Sequence, residues 1–175
     1  LDKDGLDPVL KQSKIKDVYL NSDSDYEGPY SVPVLVDVTT GKVVRKESAE
    51  LLHEFATVFS KLHKKDGIDL YPEHLADQID EWNEKLAVAL NDGVYGMGFA
   101  ENQEKYDEAF ERFFNMMDVV EDRLSNQRYF HGNTITETDI RFYTTMIRFD
   151  VVYYGLYSAN KKRIEEYPNI FNYLK

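Results

Sequence analysis

The chain has 175 residues, room for one or two small domains, and is 42% hydrophobic, enough to bury a core. Its 21 Lys and Arg stand against 32 Asp and Glu, a net charge of −11 that repels nucleic acid and anionic membranes. With no cysteine, the chain carries no disulfide, no thiolate metal site and no cysteine nucleophile of its own. No apolar run approaches the roughly 20 residues of a membrane span and no signal peptide opens the chain, so a cytoplasmic protein is expected. His53, His63, His74 and His131 show no metal-ligand spacing, and no metal is expected. Leu1 is not an initiator methionine and Lys175 falls inside a helical pattern, so the chain reads as a fragment.

The first 30 residues read as an irregular lead-in with one short helix around Ile15, Val18, Tyr19 and Leu20. Pro33 to Asp37 reads as a strand, Thr39 to Gly41 as a hairpin turn, and Lys42 to Arg45 as the returning strand. Proline lacks the N–H that a central strand needs, so Pro33 points to an edge, a sharp turn or a cis bond. A single hairpin is marginal in water, and no other convincing strand follows, so the sheet is incomplete as written. From Ser48 to about Lys61 a helix is expected, with Leu51, Leu52, Phe55, Val58 and Phe59 on one face.

After Lys64 everything is helical in period. Leu75, Ile79, Trp82, Leu86 and Leu90 form one stripe, closed by Asn91-Asp-Gly93 as a C-cap. Tyr106, Phe110, Phe113, Phe114, Met117, Val120 and Leu124 form a second, and Ile140, Tyr143, Met146, Ile147 and Val151 a third. Thr136 and Asp139 have the spacing of a capping box, with Ile135 and Ile140 at the staple positions. A structural cap outweighs an acid–base role for Asp139. Arg148 and Asp150 straddle Phe149 and are expected to belong to a structural ion pair or network rather than to catalysis. The fold class is thus a truncated α/β piece over residues 1–64, then an all-α domain over 65–175.

Three segments carry a more specific likeness: Ser31-Val-Pro-Val-Leu-Val-Asp37 with Glu47-Ser48, Asn91-Asp-Gly-Val-Tyr-Gly-Met-Gly-Phe-Ala100, and Asp139 through Tyr153. Together they resemble the glutathionyl-hydroquinone reductases, the Xi-class, omega-like branch of the glutathione S-transferases. The resemblance runs from about Asp17 to the C-terminus. It implies a partial thioredoxin-like domain followed by the all-helical transferase domain, and glutathione as co-substrate with a quinone-derived small molecule as partner. It also implies a homodimer.

By that resemblance the glutathione main chain pairs with Val32 beside Pro33, and Glu47 and Ser48 hold the γ-glutamyl end. Helix N–H groups and the Ser48 hydroxyl suit a carboxylate, and Glu47 suits an ammonium. Capping of the helix is the plainer alternative for both. Tyr95 and Tyr153 resemble tyrosines lining the family's quinone pocket, where a phenol donates to a quinol oxygen or stabilises developing charge. Packing between helices is the alternative for each. Gly96 and Gly98 would allow close ligand approach.

The chain also departs from the pattern. The Cys-Pro-Trp-Ala motif with the family's nucleophile is absent. Val151 stands where a proline is common, and the strand ends Leu-Val-Asp37 where a tryptophan is frequent. The expected activity is therefore glutathione-dependent reductive deglutathionylation in a longer protein. The rival is a cysteine-less, transferase-like binding or scaffold protein.

Overall fold

The computed structural model describes residues 3–175. The chain divides into two compact units, Leu1–Leu62 and His63–Lys175.

In the first unit, α1 (Ile15–Ser22) buries Val18 and Tyr19. Two strands follow, β1 (Leu35–Asp37) and β2 (Lys42–Arg45). They pair antiparallel, with Val36 opposite Val43 and an irregularity between Leu35 and Val36. The turn between them is set by Asp37, whose carboxylate accepts the Thr39 N–H at 2.8 Å, and by Gly41 at φ +70°. β1 begins two residues later than expected, and the Val32–Pro33 bond is cis. Tyr19, Tyr26 and Tyr30 form a ring cluster, and the Tyr19 hydroxyl donates to the Ser31 carbonyl at 2.9 Å.

Helix α2 (Ser48–Ala56) is shorter than the pattern suggested. Thr57 ends it: its N–H and its hydroxyl both donate to the His53 carbonyl, at 2.9 and 2.7 Å. A β-branched residue that bonds locally offers the backbone an alternative to the next turn. A separate turn, Ser60–Leu62, follows. Of the expected apolar face Leu51 is buried, while Phe55 and Val58 are exposed.

The second unit is all helical: α3 (Ala76–Leu86), α4 (Gly93–Gly98), α5 (Gln103–Leu124), α6 (Glu137–Arg148), α7 (Tyr154–Leu156) and α8 (Pro168–Tyr173). The first two stripes read from the sequence are its core: Ile79, Leu86, Leu90, Phe113, Phe114, Met117 and Val120 are all completely buried. Asn102 caps α5 by accepting the Lys105 N–H at 3.0 Å.

Two departures from the expected periodicity share one cause. Ala87–Asn91 and Phe149–Tyr153 are wide, π-helical turns inserted after α3 and α6. Asn91-Asp-Gly93 is therefore not a C-cap. The chain runs on into α4, and Gly93 lies inside a helix, where an added Cβ would stand 3.5 Å from the Phe113 ring. After α6 the extra residue rotates the register, so Phe149 and Tyr153 enter the core and Val151 is 82% exposed. Tyr143 and Ile147 also face outward. The inward face of α6 is Thr138, Asp139, Phe142, Thr145 and Met146.

Arg148 and Asp150 do not pair among the described residues. Arg148 donates to the Thr144 carbonyl at 2.8 Å, and Asp150 accepts the Ile164 N–H at 3.1 Å. Each side chain satisfies a main-chain group of its own.

Glu121 shows how the last helix is fixed. From α5 it accepts the Asn169 N–H at 2.8 Å and the Ile170 N–H at 2.9 Å, one on each carboxylate oxygen. These are N–H groups that a helix start leaves open, and a carboxylate also suits the positive end of the helix. Glu121→Ala is expected to destabilise the unit by about 1–2 kcal/mol, with Glu121→Gln losing less, as read by urea unfolding.

Candidate functional site

The six residues singled out by the sequence fall into two groups, one in each unit. Val32, Pro33, Glu47 and Ser48 belong to the first unit, Tyr95 and Tyr153 to the second.

Val32 is 74% exposed and follows the Ser31 carbonyl held by Tyr19. Neither its N–H nor its carbonyl meets a hydrogen-bond partner among the described residues. A bare main-chain donor and acceptor side by side can take one extended peptide in antiparallel register. Glu47 occupies the N-cap position of α2 yet makes no side-chain cap bond, so its carboxylate is open to other partners. Ser48 is the first helical residue and is exposed.

Glu47 lies on the wall of a cavity of about 420 Å³ shared with Tyr19, Tyr26, Arg45 and Lys46. Arg45 is engaged by Glu54 and Glu50, and Lys46 donates to the Tyr26 hydroxyl at 3.1 Å. The side-chain bond to Tyr26 raises the Lys46 ammonium above its usual value, so it stays charged.

In the second unit Tyr95 sits within α4, at the middle of a helix rather than at its exit. Tyr153 closes the wide turn after α6. Their hydroxyls are 3.4 Å apart, and either can donate to the other. Their rings meet edge to face at 5.9 Å. Tyr153 is 4% exposed and Tyr95 43%, so the pair joins the core to the surface. Burial, then the bond to Tyr95, pushes the Tyr153 phenol up to about 12. It is a neutral donor at neutral pH.

Two further rings complete the cluster. Tyr157 packs on Tyr153 at 5.7 Å and on Tyr95 at 5.9 Å, and Phe99 stacks with Tyr95 at 6.4 Å. Neither was marked by the sequence. A repeated aromatic spacing, Tyr95–Phe99 and Tyr153–Tyr157, was the available signal.

The two glycines serve packing. A Cβ at Gly98 would stand 2.4 Å from the Tyr157 ring, and one at Gly96 3.4 Å from Ala109. The space expected to admit a ligand is filled by the protein itself. Gly98→Ala is expected to cost about 1–3 kcal/mol and to displace Tyr157, visible as loss of near-ultraviolet dichroism.

His53, His63, His74 and His131 belong to no metal-binding group among the described residues. No helix there is long and apolar enough to cross a membrane.

Residues 103–175 match the family model described as glutathione S-transferase, C-terminal domain. Over 97% of its length the chain is 40% identical to glutathionyl-hydroquinone reductase YqjG of Escherichia coli, and it covers 51% of that protein. It is 36% identical to glutathionyl-hydroquinone reductase PcpF of Sphingobium chlorophenolicum, over 87% of this chain and 49% of that one. The chain thus spans about half the length of the curated relatives it matches. Among solved structures, a glutathione transferase of Gordonia bronchialis superposes at a TM-score of 0.94 with 38% identity, over 99% of this chain and 54% of its own. The glutathione-bound structure of YqjG superposes at 0.90 with 40% identity, over 97% and 55%.

Proposed function

We propose, from the match of residues 103–175 to the glutathione S-transferase C-terminal domain and the likeness of the chain to glutathionyl-hydroquinone reductases, that the protein containing it is an Xi-class glutathione transferase that removes glutathione from glutathionyl-hydroquinones. In this reading residues 1–64 carry groups that bind glutathione, and residues 65–175 carry the tyrosines that meet the quinol. The Val32 N–H and carbonyl pair with the glutathione main chain beside Pro33. Glu47 takes the γ-glutamyl ammonium, and the Ser48 hydroxyl at the start of α2 takes its carboxylate.

The reaction needs a thiolate, and none resides on these 175 residues. A thiolate supplied from elsewhere attacks the thioether sulfur and forms a disulfide with glutathione. The electron pair of the broken carbon–sulfur bond passes to the ring and is spread onto a quinol oxygen, and the ring carbon then takes a proton. A second glutathione resolves the disulfide and leaves as oxidised glutathione. Tyr95 and Tyr153 donate to the quinol oxygen as charge gathers there.

The observation that carries the proposal is the pair of tyrosine hydroxyls 3.4 Å apart, one buried and one open. A cytoplasmic homodimer is part of the same proposal.

The test is chromatography of hydroquinone released from a glutathionyl-hydroquinone by the full-length protein with glutathione present. Release that disappears when glutathione is omitted supports the reading, and no release overturns it. The missing cysteine favours a second reading, a binding module without catalysis. It would bind glutathione in calorimetry and release nothing.

A further inference from the structure

Tyr157 has no hydrogen-bond partner for its hydroxyl among the described residues, yet its place is held from several sides. Its N–H donates to the Tyr153 carbonyl at 3.1 Å. The next residue, Ser158, has φ +55°, and its carbonyl accepts the Tyr106 hydroxyl at 2.7 Å. The Ala159 N–H returns to the Tyr153 carbonyl at 3.3 Å. A non-glycine residue in the left-handed region is kept there only when its surroundings insist on it. The chain reversal after α7 is thus fixed, and with it the direction of the Tyr157 ring.

That ring touches each of the other three in the cluster: Tyr153 at 5.7 Å and 27°, Tyr95 at 5.9 Å and Phe99 at 5.7 Å. It enters the gap that Gly98 leaves bare. Tyr95, by contrast, is 43% exposed, and among the described residues its hydroxyl meets only that of Tyr153. An aromatic side chain on a helix surface has more than one rotamer open to it, and something must choose between them. We propose that Tyr157 is a positioning residue: its ring, seated over Gly98 and stacked on Tyr153, holds the Tyr95 and Tyr153 hydroxyls at a spacing where both reach one oxygen of an aromatic substrate.

This rests on the hydroquinone reading of the site. The ring, not its hydroxyl, does the positioning, so phenylalanine should replace tyrosine and an aliphatic side chain should not. The test compares Tyr157→Phe with Tyr157→Leu in the full-length protein. Two quantities are read: turnover of a glutathionyl-hydroquinone, and the titration of Tyr153 followed by carbon NMR of labelled tyrosine.

Tyr157→Leu is expected to lower kcat/KM about tenfold or more, mostly in kcat, and to move the Tyr153 titration toward an ordinary tyrosine. Tyr157→Phe restores both. Equal losses in the two variants would overturn the proposal, since the hydroxyl would then be the active part. An unmoved Tyr153 titration in a folded Tyr157→Leu variant would overturn it as well. If no glutathionyl-hydroquinone is turned over by the parent protein, the functional reading falls, and the titration still decides the positioning role.

Discussion

Replacing Asp139 by alanine is expected to destabilise the helical unit by about 4 kcal/mol, among the largest losses a single substitution causes. Asp139 has no exposed surface. One carboxylate oxygen accepts the Thr136 N–H at 2.8 Å and the Thr136 hydroxyl at 3.0 Å. The other accepts the Phe130 N–H at 3.1 Å and the Tyr173 hydroxyl at 3.2 Å. One side chain therefore joins the start of α6, the loop before it and the end of α8. Alanine would leave several buried donors without partners, each costing about 1–3 kcal/mol, partly relieved by water entering. Equilibrium unfolding in urea measures the loss, and a value under about 1 kcal/mol would show that the network does not hold these segments together. The same four bonds answer the question of chemistry: a carboxylate so engaged caps and clamps, and has no capacity left for acid–base work.

The second large effect is on turnover. Tyr153→Phe is expected to reduce kcat/KM of the full-length protein for a glutathionyl-hydroquinone about 100-fold, the scale of losing one buried donor to developing negative charge. Tyr95→Phe should cost less, about tenfold, because a donor 43% exposed to water is worth less than a buried one. The pH profile gives an independent check. A phenol whose value is raised keeps its proton below that value and loses it above. With Tyr153 at about 12, its donor persists across the working range, and no fall in rate below pH 10 should trace to Tyr153. A fall near pH 8 that vanishes in Tyr153→Phe would contradict the assignment.

The helices most legible in the sequence are those whose inward face is mostly apolar. The stripes of α3 and α5 become core because apolar side chains make up most of their inward faces. The face of α6 was misread because Thr138, Asp139 and Thr145 count as surface residues in any apolar pattern, yet they are buried. Their polar atoms find partners inside, as Thr145 does with Asn91 at 2.7 Å, and no periodicity reveals that. The wide turns at 87–91 and 149–153 break the 3.6-residue period on which the reading of Gly93 and Val151 relied. Tyr95 and Tyr153 could be named from the resemblance. Tyr157 could not, because its placement depends on an empty space at Gly98, 59 positions earlier in the chain. Glu121 was equally hidden, since the helix that it caps begins 47 residues away.

Trp82 is the single tryptophan of the chain and belongs to the second unit. Its indole meets the Phe130 ring edge to face at 5.3 Å and lies under the Arg123 guanidinium at 4.8 Å. Phe130 is also the residue whose N–H the Asp139 carboxylate accepts. Tryptophan emission is therefore a local gauge of the clamp around Asp139, and the hairpin unit has no tryptophan of its own. Melting followed by fluorescence and by tyrosine absorbance need not coincide, and the gap between the two curves would count the units that unfold separately.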